Sequence, residues 1–136
     1  MRVMGLDIGS KTIGVAVSDP LGLTAQGLTT IRRRSREADL EALKKLSRQY
    51  GVEQLVVGLP RNMDGSYGPQ ADAVRNFARK IKIELGLPLH FNDERLTTVA
   101  ATRVLLDADL SRKSRRKVID QVAATIILQG FLDRQG

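Results

Sequence analysis

The order of elements along the chain predicts an α/β fold: a mixed five-stranded sheet, an antiparallel meander plus parallel strands, flanked by helices. Three observations carry this expectation. Residues 2–31 hold three extended stretches separated only by short turns, which is the pattern of a meander. From Ser35 onward apolar residues recur at helical spacing, and these helical stretches alternate with short apolar runs, as in βα units. The length of 136 residues and hydrophobic share of 42% fit one domain, residues 1–136, with a core that needs no staples.

Each element has its own signal. Residues 2–8 (RVMGLDI) are almost continuously apolar, as in a strand covered on both faces. Gly9-Ser10-Lys11 makes a turn. Residues 12–18 (TIGVAVS) alternate, with Ile13, Val15 and Val17 on one side and Thr12, Gly14, Ala16 and Ser18 on the other. One face of that strand is bulky and the other small. DPLG at 19–22 is a turn signal, and the threonines of 23–31 (LTAQGLTTI) suit a third strand. A helix is expected over Ser35–Tyr50, on the apolar positions Ala38, Leu40, Ala42, Leu43 and Leu46, with Gly51 as its stop. Residues 54–59 (QLVVGL) read as a short buried strand. The turn-rich stretch 60–69 leads into a helix over about Gln70–Leu85 with Val74, Phe77, Ala78 and Ile81 inward, ended by Gly86. Residues 87–92 (LPLHFN) form a further strand. Helices over about Leu96–Leu106 and Lys113–Asp133 complete the chain. This βββ-α-β-α-β-α-α order is that of a ribonuclease-H-like fold.

Composition narrows the function classes. There is no cysteine, so disulfides and thiolate metal sites are excluded, in keeping with a cytoplasmic protein. No signal-peptide pattern opens the chain, and no apolar run approaches the ~20 residues that span a bilayer, so no membrane role is expected. The net charge is +7. Two clusters carry much of it: Arg32, Arg33, Arg34 and Arg36, then Arg112, Lys113, Arg115, Arg116 and Lys117. A single cluster reads as a solvated face; two, with no balancing acidic block, point to a polyanion, nucleic acid first.

Against that basic background a few acids stand out. Asp7 sits in the middle of the first strand, where an unpaired carboxylate is costly to bury. Val3, Gly5 and Asp7 share one face, and the small face of 12–18 lies beside them. Taken alone, Asp7 is equally well a turn aspartate capping backbone amides. NDERLTT at 92–98 carries Asp93 and Glu94 where a strand gives way to a helix. Asp93 suits an N-cap, while Glu94 has the longer reach over the sheet edge. Asp120 borders the apolar rows Val118–Val122–Ile126 and Ile119–Ala123–Ile127, with Ala123 and Ala124 following one turn later. Alone it reads as a solvent-facing residue paired with Arg116 or Lys117. Together the three make a stronger case, since acids on a central strand, at a strand end and on the last helix are able to converge on one end of a sheet. Their oxygens suit Mg²⁺ or Mn²⁺, and two such ions ~4 Å apart promote phosphodiester cleavage. Lysines and arginines around them would hold the phosphate backbone; the candidates are Lys11, Arg61, Arg95, Arg112, Lys113, Arg115, Arg116 and Lys117.

GLDIGSKTIGVAVSD, VVGLPRNMDGSYG, NDERLTT and KVIDQVAATIILQGFLD, in this order, resemble the YqgF family, also called RuvX, over essentially the whole chain. The resemblance implies a ribonuclease-H-like fold and a nuclease that acts either on the 5′ end of pre-16S ribosomal RNA or on Holliday junctions. It places Asp7, Glu94 and Asp120 at the family's proposed catalytic acids. The loop GLPRNMDGSYGPQA reads equally as a structured connection, with Asn62, Asp64 and Ser66 satisfying turn backbone, or as a substrate-facing loop with Arg61 on phosphate. His90, the one histidine, reads as structural. Aromatics are 4% of the chain, so base stacking is a minor grip. A Holliday junction resolvase must present two sites and therefore dimerise, whereas this chain, with no obvious exposed apolar dimer helix, is expected to be a monomer or weak dimer. A non-catalytic RNA-binding assembly factor would use the basic clusters alone. The first motif also looks like the phosphate loop of actin-like ATPases, which need a longer chain.

Overall fold

The computed structural model describes residues 1–61, 64–95 and 112–135, with the side chains of 94, 95 and 112–120 not among those described. The elements are β1 (Val3–Ile8), β2 (Thr12–Ser18), β3 (Ala25–Arg32), α1 (Arg36–Gln49), β4 (Gln54–Arg61), α2 (Pro69–Leu85), β5 (Leu89–Arg95) and α3 (Arg112–Gln135). They form one sheet in the order β3-β2-β1-β4-β5. β1 pairs antiparallel with β2, and β2 with β3; β4 runs parallel to both β1 and β5. The mixed five-stranded sheet is the one the element order predicts. The helix expected over 96–106 lies outside the described residues.

Pleat alternation divides the sheet into two faces. Met4, Leu6 and Ile8 of β1, with Ile13, Val15 and Val17 of β2, pack under α1 and α2 against Leu43, Val74, Phe77, Ala78 and Ile81. Val3 and Ala16 face the other way, with Val56, and are covered by Ala124, Ile127, Leu128, Phe131 and Leu132 of α3. The bulky and small faces of β2 thus meet different helices. On the small face, Gly5, Ala16 and Gly27 lie side by side in one row across three strands. A Cβ on Gly5 would lie 2.7 Å from the Leu128 Cβ, so α3 rests almost on the sheet backbone.

Helix boundaries follow the local chemistry. Ser35 caps α1 by accepting from the Ala38 amide, and Gly51 follows its end at φ +61°. Pro69 opens α2, and Gly86 closes it in the left-handed region. Three strands, β3, β4 and β5, differ from expectation by two residues or more at one or both ends. β3 starts at Ala25 rather than residue 23, because the Asp19 carboxylate takes the amides of Leu23 and Thr24 into the preceding turn. Those bonds, Thr24 first, hold the Asp19 carboxyl below its usual range. β5 continues through Arg95, because β4 runs on to Arg61 and pairs with it residue for residue. Asp93 and Glu94 are therefore strand residues, not the start of a helix. In α3 the buried positions are Ala123, Ala124, Ile127, Leu128, Phe131 and Leu132, and the row through Val122 and Ile126 is a half-buried flank.

One arginine of the first basic cluster is structural. Arg33 donates to Asp39 at 3.1 Å and to the Gly9 carbonyl at 2.9 Å, and its guanidinium lies 4.6 Å from the centre of the Phe77 ring. The Asp39 side chain is 3% exposed and also accepts from the Arg34 amide. Arg33→Met therefore leaves a buried carboxylate without its cation. The expected loss is about 2 kcal/mol, less than for a fully buried pair because Arg33 keeps some solvent contact. Urea denaturation measures it, and adding Asp39→Leu recovers part of the loss.

Candidate active site

Asp7 is half-buried on β1, on the face covered by α3, and pairs with Gly14 of β2. Gly14 in turn pairs with Thr30 of β3. On the other side, the parallel register carries Leu6 to Val57, and one step on brings Gly58 beside Asp7. Gly58 pairs with Asn92 of β5. The row thus reads Thr30, Gly14, Asp7, Gly58, Asn92. The strand positions on both sides of Asp7 carry no side chain, which is how a core strand accommodates a carboxylate there.

The same register places residue 94 opposite Pro60, two residues beyond Asn92 and past the end of β1. Pleat parity puts position 94 on the face that holds Asp7 and Asn92. The direction of α3 brings in position 120. Gln129 binds the Ala25 amide and the Leu23 carbonyl at the start of β3. Gln121 and Thr125 flank Gly27 farther up the same strand. α3 therefore runs antiparallel to β1, and its amino-terminal half lies toward the end of the sheet where Asp7 stands. Position 120 is one turn before Ala124, whose carbonyl is 3.1 Å from where a Gly5 Cβ would be. The backbone brings positions 7, 94 and 120 to one face and one end of the sheet. The side chains of Glu94 and Asp120 lie outside the described residues, as do those of Arg95, Arg112, Lys113, Arg115, Arg116 and Lys117. Among the described residues no cluster of three possible metal ligands forms.

Asp93 has a different place. It has the opposite parity from Asn92, is exposed, and accepts from Arg61 at 3.1 Å and from the Tyr67 hydroxyl at 2.8 Å. The bond to Asp93 raises the Tyr67 phenol above its ordinary pKa. Arg61 also donates from Nε to the Gly65 carbonyl at 2.6 Å, and Arg61 and Arg75 both lie over the Tyr67 ring. Asp64 accepts from the amide and hydroxyl of Ser66, the hydroxyl chiefly holding its carboxyl below the usual range. Arg61, Gly65 and Tyr67 are therefore tied to the edge of β5 beside position 94. Asn62 lies outside the described residues. Lys11 is exposed on the turn after β1. His90 contacts Gln54 and the Phe131 ring, in keeping with a structural residue.

Asn92 is the polar residue the sequence reading passed over. It is 7% exposed, and its Nδ2 donates to the Ile127 carbonyl of α3 at 2.9 Å. Its Oδ1 is buried with no hydrogen-bond partner among the described residues. The available signal was parity: a polar residue at a covered position of an otherwise apolar strand. Asn92→Asp would aim a carboxylate at the Ile127 carbonyl. It is expected to cost about 2 kcal/mol at neutral pH. Burial raises the new carboxyl's pKa above its unfolded value, so the loss shrinks as pH falls and the acid form donates again. Urea midpoints at pH 7 and at mildly acidic pH check this.

Comparison with known proteins identifies the lineage. Residues 1–134 match the family model described as "RuvX: Holliday junction resolvase". A protein of Moorella thermoacetica is 76% identical over 136 residues, covering 100% of this chain and 97% of its own. One from Clostridium botulinum strain Hall is 59% identical over 133 residues, covering 98% and 97%. Both carry the name "Putative pre-16S rRNA nuclease". Among solved structures, Thermus thermophilus RuvC in complex with a Holliday junction substrate matches with TM-score 0.60 at 14% identity, covering 100% of this chain and 96% of that one. The fowlpox virus Holliday junction resolvase matches with TM-score 0.58 at 12% identity, covering all of both chains. These two share the fold, which is ribonuclease-H-like as the element order predicts. Sequence, sheet order and the placement of Asp7 lead to one lineage, and the chain belongs to the RuvX family.

Proposed function

We propose that this chain is a divalent-metal-dependent nuclease, a single domain over residues 1–136, that hydrolyses a phosphodiester bond in the 5′ precursor segment of 16S ribosomal RNA in the cytoplasm. The observation that carries the reading is the row around Asp7: an acid on a central strand, glycines on both sides, at the sheet end that positions 94 and 120 share. The relatives' name supplies the substrate. The donor chemistry fits Mg²⁺ or Mn²⁺, since carboxylate oxygens are the hard ligands these ions take. Asp7, Glu94 and Asp120 would hold two such ions, the number that suits phosphodiester cleavage, and bound metal would supply an activated water and stabilise the departing oxygen.

The chain's own residues have separable tasks. Asp7 holds a negative charge on a strand braced by neighbours on both sides, so its position costs no reorganisation during reaction. The Arg61–Asp93–Tyr67 contacts hold the loop that adjoins position 94. Lys11, Arg95 and the basic residues that open α3 meet phosphates, and binding weakens with salt.

A second reading is resolution of four-way DNA junctions, favoured by the family description and by the fold shared with two resolvases. It requires a dimer with two sites. The test incubates the protein with Mn²⁺ and two labelled substrates, an RNA carrying the 16S 5′ precursor and a four-way DNA junction. Cleavage of the RNA alone is expected. Cleavage of the junction alone, by a dimer, would replace the reading with the second. Binding of either without cleavage would leave an RNA-binding assembly factor.

A further inference from the structure

A groove of about 590 Å³ opens on the face opposite α3. Its walls are Ile8 at the end of β1, the Gly9–Ser10 turn, Arg33 and Arg36 around the start of α1 and the first half of α2, so it begins at the residue that follows Asp7. Its polar lining is Ser10, Arg33, Arg36, Gln70 and Asn76, with Val74 and Phe77 among its apolar residues. Among the described residues no carboxylate is in the lining itself, and the one paired with it is Asp39, on Arg33.

We propose that this groove is a second nucleic-acid subsite, taking one single-stranded nucleotide unit that flanks the scissile bond and holding its phosphate on Arg33 and Arg36. Three features support it. The lining offers two guanidiniums, two carboxamides and a hydroxyl; Asp39 pairs with the Arg33 Nε, so the uncompensated cation is Arg36, and the set is donor chemistry matched to a phosphodiester. Arg33 is already fixed by Asp39, Phe77 and the Gly9 carbonyl, so little of its side-chain freedom remains to be lost on binding. The volume lies in the range of small-ligand sites, room for a nucleotide unit but not for a duplex. The bond from Arg33 to Gly9 also joins the groove to the turn that follows the Asp7 strand. A strand crossing that turn passes from one face of the sheet to the other.

The inference rests on the nucleic-acid reading above, but its test needs no cleavage. Binding of a fluorescein-labelled RNA of about twelve nucleotides is measured in EDTA across a salt series. Arg36→Gln is expected to weaken binding about five- to tenfold at low salt and to lower the salt slope by roughly 0.7, the value for one single-strand phosphate. Ala73→Phe fills the groove without changing charge, and about the same loss is expected. Arg79→Gln removes an equal charge from α2 outside the groove, and less than a twofold change is expected. If Arg36→Gln and Ala73→Phe bind like the parent or like Arg79→Gln, the groove is not a subsite. That result leaves the nuclease reading standing if Asp7→Asn still abolishes cleavage. If instead Asp7→Asn cleaves normally while the groove variants lose binding, the catalytic reading falls and the subsite remains.

Discussion

Asp7→Asn should bind labelled precursor RNA as tightly as the parent and cleave it slower by on the order of 10²–10³-fold or more, the scale of losing one preorganised charged group at a reacting centre. The substitution keeps the shape and removes one negative charge. Asp7 pairs with Gly14, and Gly58 is the β4 residue that follows the Leu6–Val57 pair, so neither neighbouring strand position presents a side chain that must repack around position 7. The core under β1 is built by Met4, Leu6 and Ile8 on the opposite face. Fold and binding should therefore survive. The urea midpoint should stay close to the parent's, because the apolar core under β1 does not use position 7. Single-turnover cleavage with Mn²⁺, anisotropy binding and a urea midpoint give the three readouts. Cleavage at the parent rate would remove Asp7 from the chemistry. A collapsed midpoint would instead make Asp7 a structural residue, an outcome its place between two glycines argues against.

Much of this arrangement is legible in residue order, and the exceptions share a cause. Ser35, Gly51, Pro69 and Gly86 mark helix ends through local backbone chemistry, so they can be read without the fold. Ile13, Val15 and Val17 alternate with small residues, and that alternation already separates the two faces of the sheet. Asp39 and Arg33 mislead for the opposite reason. Each is ordinary for a surface in its own neighbourhood, and only packing against Phe77 and the Gly9 carbonyl makes the pair internal. NDERLTT suggests a helix start because Asn and Asp are capping residues. The strand continues because β4 supplies partners up to Arg61, and a partner strand cannot be seen from one segment. The site behaves likewise. That acids at 7, 94 and 120 are worth considering follows from their types, but no spacing dictates a common sheet end. That depends on parallel register between β1, β4 and β5 and on the direction of α3. Asn92 escaped because its burial comes from α3, 35 residues away in sequence.

Gly5→Val should be the most destabilising substitution on the sheet, costing more than about 3 kcal/mol, the upper end for overpacking a close-packed site. A Cβ at position 5 would meet the Leu128 Cβ at 2.7 Å, the Ala124 carbonyl at 3.1 Å and the Leu128 Cα at 3.4 Å. Two of these three are helix backbone, and the other is fixed directly to it. No flexible side-chain end can give way, so α3 itself must lift. Lifting α3 weakens the Asn92–Ile127 and Ala25–Gln129 bonds that tie the helix to both sides of the sheet. Gly5→Ala tests the same contact more gently. Replacing glycine in extended backbone gains about 0.4–1 kcal/mol through the unfolded chain, so a net cost of roughly 1–2 kcal/mol remains. Gly27→Ala is the matched control two strands away. There the nearest atoms are the Gln121 Cβ and Thr125 Oγ1 at 3.4 Å, an ordinary contact, so the gain of about 0.4–1 kcal/mol through the unfolded chain is expected to stand unopposed. Activity should follow geometry as well as stability. In Gly5→Ala, cleavage at a temperature where the protein remains folded should fall, because position 120 rides on the displaced helix, while Gly27→Ala keeps the parent rate. Equal urea midpoints for the two alanine variants would show that α3 can rise off β1 at no cost, and the close approach at Gly5 would then have no part in placing the site.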